Sequence, residues 1–74
     1  MNLKTMNEII KIVEQYGTVD EIGNNEDLNV FIETNVNDED KEMILSEMDM
    51  VLPENMFFSH TYEDDKLNIE FKNI

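Results

Sequence analysis

The chain has no cysteine, no arginine, no alanine and no tryptophan, and among its 74 residues stand one proline, two glycines and one histidine. Without cysteine there is neither a disulfide nor a thiolate ligand, so a chain too short for a thick core carries no covalent or metal staple. One thin-cored domain over residues 1–74 is expected, and the lack of cysteine fits a reducing compartment. There is no run of eighteen apolar residues, no basic start followed by an apolar stretch and no terminal lipidation box. A membrane span and a secretion signal are therefore not expected, and the expected location is the cytoplasm.

The shortage of positive charge excludes more. Five lysines face eighteen carboxylates, for a net charge of -13, where roughly 2 to 8 units is usual for a small domain. Affinity for phosphate comes from lysine and arginine displacing counterions, so direct binding of DNA or RNA is not expected, and the same repulsion argues against anionic membrane surfaces. Yet the hydrophobic fraction is 41% and is spread along the chain, which separates it from disordered acidic tails.

The inventory for catalysis is as short. With one histidine, two serines and no cysteine, the only adjacent nucleophile and base are Ser59 and His60. Neighbours on a strand point to opposite faces, so they form no catalytic pair. His60 is expected to be partly buried near Tyr62. A calcium loop starting at Asp38 would need glycine at its sixth position and glutamate at its twelfth, and finds Met43 and Asp49; one starting at Asp20 fails as well. No catalytic residue, metal or cofactor is expected, and the chain does not read as an enzyme.

The apolar pattern gives the organisation. Leu3, Met6, Ile9, Ile10, Val13 and Tyr16 recur at helical spacing, ended by Gly17, with Asn2 or a Thr5–Glu8 capping box at the start. Residues 18–27, with Gly23, Asn24 and Asn25 among acidic residues, read as an acidic loop and turn holding at most a short helical turn at Thr18 and Glu21. From Leu28 to Val36 the alternation of Leu28, Val30, Ile32 and Thr34 with polar residues predicts a strand, with Phe31 out of place on its polar side. Asn37 before Asp38, Glu39 and Asp40 is a helix start, because three anions follow a side-chain cap. Pro53 marks that helix's end, with Ile44, Leu45, Met48, Val51 and Leu52 on one arc and Met43 and Met50 on another flank.

The last twenty residues predict a hairpin in which Tyr62 faces Leu67, His60 faces Ile69 and Phe58 faces Phe71, across either a four-residue loop or a two-residue Asp64-Asp65 turn. The expected fold is α+β and two-layered: helix, strand, helix, strand, strand, with two helices on one face of a three-stranded sheet. The strand order stays open. If the first two strands adjoin they run parallel; if the third lies between them, all pairing is antiparallel.

The acidic shell is then the feature that needs a function. From Ile12 to Asp40 there is no positive charge, while Glu14, Asp20, Glu21, Glu26, Asp27, Glu33, Asp38, Glu39 and Asp40 carry nine negative ones. A compact domain of this length has a radius of gyration of roughly 11 Å and a diameter of about 30 Å. Duplex DNA bears about 17 phosphates over that length, at one charge per ~1.7 Å. The eighteen carboxylates match that density, and a basic nucleic-acid channel would attract them at steered rates.

In size, charge and the acidic stretches Asp38-Glu39-Asp40 and Glu63-Asp64-Asp65, the chain resembles the small phage-encoded nucleic-acid mimics, the anti-CRISPR and anti-restriction inhibitors. The abundance of asparagine and isoleucine without alanine or arginine fits AT-rich codons, as of a phage or an AT-rich bacterium. The resemblance implies a non-enzymatic inhibitor in the host cytoplasm, whose partner is a protein with a basic surface. The expected contact residues are Asp20, Glu21, Glu26, Asp27, Asp38, Glu39, Asp40 and Glu42, with Met43 and Met50 as apolar anchors. The alternative is a small acidic adaptor or immunity-type interaction domain whose charge serves solubility. Either would act as a monomer or a homodimer.

Overall fold

The computed structural model describes residues 2–27 and 29–73, the side chain of Asn73 excepted. Six elements follow one another: α1 (Leu3–Tyr16), β1 (Thr18–Asn24), β2 (Val30–Asn35), α2 (Asp38–Val51), β3 (Met56–Glu63) and β4 (Lys66–Asn73). The strands form one four-stranded sheet in the order β1-β2-β4-β3, antiparallel throughout. The last strand therefore lies between β2 and β3, which is the antiparallel alternative of the two that the pattern leaves open.

The expectation of three strands is corrected to four. Residues 18–24 are not loop but the edge strand β1, hidden from a period-two reading by a bulge. The register shifts between Val19 and Glu21, so that Val19 pairs with Thr34 and Ile22 with Ile32 although they are three residues apart. An extra residue in one strand does this by letting two residues oppose one, which destroys strict alternation.

Both helix starts are side-chain caps. The amide of Thr5 donates to Asn2 Oδ1 at 2.8 Å and that of Asp40 to Asn37 Oδ1 at 2.8 Å, satisfying amides that have no partner inside the helix. Asn2, rather than Thr5, thus caps α1. Its C-terminal Gly17 donates to the Val13 carbonyl at 2.9 Å and sits so close to β2 that a Cβ there would stand 2.4 Å from the Asn35 carbonyl oxygen. Only glycine fits that approach.

The core draws on both helices and the two central strands: Ile9, Ile12 and Val13 of α1, Ile44 and Met48 of α2, Ile32 of β2, Leu67, Ile69 and Phe71 of β4, and Val36. Met6, Tyr16, Val30, Leu45, Val51, Leu52, Phe58 and Tyr62 pack around them half-buried. The stripe on α1 is rotated from the expected one, because Ile12 is buried while Leu3 stands 75% exposed. Thr34 is fully buried, and its hydroxyl donates to the Thr18 carbonyl at 2.5 Å, which removes the penalty for burying it and fastens β1 to β2.

The hairpin register is the expected one at every pair, with Tyr62 opposite Leu67, His60 opposite Ile69 and Phe58 opposite Phe71. Of the two loops considered, the tight one forms: Glu63 pairs with Lys66, and both Asp64 and Asp65 have positive φ (51° and 63°). That is the two-residue turn whose twist matches the strands. His60, however, is exposed rather than partly buried, because it stands on an edge strand that neither helix packs against extensively.

Candidate partner-binding surface

The expected contact residues divide into three places. Asp38, Glu39 and Asp40 lie in the first turn of α2, and Glu42 follows at the start of the second. There the anions sit where the helix dipole favours them. Asp20 and Glu21 lie in β1, and Glu26 and Asp27 in the turn between β1 and β2. Asn25 organises that turn, accepting at Oδ1 from the amides of Asp27 (3.0 Å) and Asn29 (3.1 Å) and donating its side-chain amide to Glu70.

The first turn of α2 has a neighbour that sequence spacing does not reveal. The Val36 amide donates to the Asp65 carbonyl at 2.8 Å, and the Tyr62 hydroxyl donates to the Val36 carbonyl at 2.8 Å and lies 3.1 Å from Asp65 Oδ1. Lys41 bridges the same junction from above, its ammonium 4.5 Å from the centre of the Tyr62 ring and 2.9 Å from Asp38. The two acidic stretches, twenty-odd residues apart in the chain, thereby share one end of the sheet. Burial and the neighbouring Asp65 carboxylate push the Tyr62 phenol above its ordinary range, so it stays a donor.

Asp20 and Glu33 complete this end. Lys66 lies 3.2 Å from Glu33 and 3.6 Å from Asp20, between carboxylates of two other strands. Glu33 is also directly opposite Glu21, a like-charge pairing that costs stability unless a cation intervenes. Among the described residues the ion pairs at this end are those of Lys41 with Asp38 and Glu42 and of Lys66 with Asp20 and Glu33, and both lysines are drawn above their ordinary range by the carboxylates beside them, Asp38 and Glu33 first. Among the described residues no three carboxylates or histidines converge into a group that could hold a metal ion. The charges are spread out. On the sheet face beside them is a shallow depression of about 420 Å³, bordered by Glu33, Thr61, Glu63, Asp64, Lys66 and Asn68.

Glu26 and Asp27 stand apart from this end. The β1–β2 turn follows the pair Asn24 and Val30, whereas the acidic end adjoins the pair Thr18 and Asn35. At ~3.4 Å per residue the two ends of β2 are about 17 Å apart. Met43 and Met50, both on α2, are 47% and 82% exposed, so neither belongs to the core. Phe31 is half-buried, with its ring over Gly23: a Cβ on Gly23 would stand 3.2 Å from it. The glycine makes room for the ring, which covers backbone that would otherwise be bare.

Glu63, Asp64 and Asp65 are therefore the carboxylates that sequence reasoning leaves out of the contact set, and Glu33 with them. Their acidity is plain in the chain, but their nearness to Asp38–Glu42 depends on Tyr62 reaching Val36, a tertiary contact with no local signal. Among the described residues no helix is long and apolar enough to cross a membrane. Comparison of the chain with protein-family models, with curated proteins and with solved structures finds no match.

Proposed function

We propose that the protein is a non-enzymatic inhibitor that binds a basic, nucleic-acid-binding surface of another protein, a defence effector such as a CRISPR-Cas protein, in place of the nucleic acid. The observation that carries this reading is the joining of Asp38–Glu42 and Glu63–Asp65 into one acidic end by Tyr62, Val36 and Lys41. Carboxylates fixed on a helix turn and a tight β-turn present spaced negative charge without the entropy loss of ordering a flexible tail. The longest dimension of the molecule is 29 Å, along which duplex DNA carries about 17 phosphates, against eighteen carboxylates here. Such a field accelerates encounter with a basic groove and repels acidic competitors.

Replacing Asp38, Glu39, Asp40 and Glu42 by lysine tests this, with partner retention read along a salt gradient. On this reading the variant loses the partner, and duplex DNA displaces the unmodified protein from it.

A second reading rests on the exposure of Met43 and Met50, which suits an adaptor that grips its partner through apolar contacts. On that reading binding survives both high salt and the four substitutions, and fails when Met43 and Met50 are changed to glutamine.

A further inference from the structure

The sheet has two open edges of different character. β1 is interrupted by the bulge at Asp20 and carries Asp20 and Glu21, features that protect an edge from pairing with another chain. β3 has none of them: it pairs with β4 at eight consecutive positions, contains no proline, and holds no charged residue before Glu63. In a chain with 31% charged residues, the run from Asn55 to Tyr62 has none.

The turn fixes which backbone groups of this edge are free. Glu63 and Lys66 are the first and last residues of the two-residue turn and face each other, so their main-chain groups bond to one another. Alternation then turns the groups of Thr61, Ser59 and Phe57 toward β4 and those of Tyr62, His60 and Phe58 outward. Met56 shares the outward parity, and its amide is taken by the Pro53 carbonyl at 3.0 Å. The side chains agree with an uncovered edge: Phe58 and Tyr62 are half-buried and His60 is exposed, although each faces a buried residue of β4.

We propose that β3 is the seam of a homodimer, in which β3 of a second copy pairs antiparallel with it about a two-fold axis at His60. The outward groups at 58, 60 and 62 are symmetric about His60, so this register matches donor with acceptor at all three. It sets Phe58 against Tyr62 and Ser59 against Thr61 of the second copy, aromatic and hydroxyl pairs of the kind that stabilise antiparallel sheets. Charge selects the same edge. Two chains of net charge -13 approach with least repulsion where neither carries a carboxylate. Glu63 of each copy also falls in one row with Phe57 and Lys72 of the other, Phe57 and Lys72 being paired across β3 and β4. That puts Glu63 and Lys72 about 10 Å apart at ~4.8 Å per strand, opposite in sign. Continuous pairing makes one eight-stranded sheet and shelters His60, Phe58 and Tyr62 at its middle. The dimer does not depend on the proposed inhibitor role, and its salt dependence has the opposite sign.

Sedimentation equilibrium on the full chain at about 0.05 M and about 0.5 M sodium chloride tests it, since salt screens repulsion between like-charged copies. The expected result is a species of twice the 8.7 kDa chain mass at high salt, with a dissociation constant at least about tenfold lower than at low salt. Ser59→Glu with Thr61→Glu, both on exposed side chains, should leave the circular dichroism spectrum unchanged and give monomer at both salts. His60→Cys, in a chain otherwise free of cysteine, should form a disulfide-linked dimer under mild oxidation while Glu54→Cys does not. Monomer at both salts, or a dimer that survives the glutamate pair, overturns the proposal. A dimer that His60→Cys does not cross-link overturns the register.

Discussion

Between Met56 and Asn73 two eight-residue strands pair without interruption through the Asp64-Asp65 turn, whereas between Thr18 and Asn35 strands of seven and six residues pair around a bulge. The first hairpin in the chain relies on particular contacts: Gly17 against Asn35, Thr34 against Thr18, Phe31 over Gly23. The second relies on pattern, with Phe58, Tyr62, Leu67, Ile69 and Phe71 alternating onto one face and a turn of two residues. A hairpin built on pattern tolerates change at single solvent-facing positions. One built on contacts fails at each of them.

Gly17→Ala should sharpen that comparison most. The added Cβ meets a backbone oxygen at 2.4 Å, which only movement of β1 or β2 can relieve. A loss of about 3 kcal/mol is expected by urea denaturation, near the upper end for overpacking, with exchange protection lost first in β1. Phe31→Ala comes next, at about 1–2 kcal/mol, since it uncovers Gly23 and part of β4. Phe57→Ala, on the exposed side of the other hairpin, should cost less than half of that in the same titration.

The second hairpin has a weakness of its own in its turn, where two non-glycine residues hold positive φ. Replacing Asp64-Asp65 by Asn-Gly should stabilise the domain by about 1 kcal/mol, because those residues adopt the left-handed region with less strain. It also removes two charges from the crowded end, so the gain should be larger at low salt. A loss of stability would show that the Asp65 side chain matters more to Tyr62 than the turn does to the hairpin.

The smallest effect is expected from Lys66→Gln, and pH gives its sign. Glu33 and Asp20 hold the Lys66 ammonium above its ordinary value, so its contribution is fully present below the lysine pKa of the unfolded chain, about 10.4, and disappears as pH rises through the higher folded value. The difference in Tm between the unmodified chain and the variant should be constant from pH 6 to 9 and shrink above about 10.5.

What the sequence makes legible follows the same division. Helix α2, from its Asn37 cap to Pro53, and the β3–β4 register at every pair can be read from spacing alone, because caps, turns and alternation are local. β1 cannot, because the bulge sets its two apolar residues three apart and only pairing with β2 brings them to one side. Leu3 and His60 depart from expectation for different reasons: Leu3 lies off the face of α1 that Thr5, Ile9, Ile12 and Val13 bury, whereas His60 is on the right face of β3 but beyond the reach of the helices. Of the candidate surface, the acidity of each stretch is visible in the chain, while the joining of Asp38–Glu42 to Glu63–Asp65 waits on the Tyr62 hydroxyl. The pairing of Lys66 with Glu33 and Asp20 likewise spans three strands.

The most direct test of the central claim is to immobilise the protein, load it with a lysate containing nucleic-acid effectors, and elute with rising salt and then with duplex DNA. A basic nucleic-acid-binding protein should leave at moderate salt, be displaced by the DNA, and not be retained by the chain carrying lysine at 38, 39, 40 and 42. A partner that keeps its nucleic acid while bound, or that stays through high salt and the four substitutions, would contradict it.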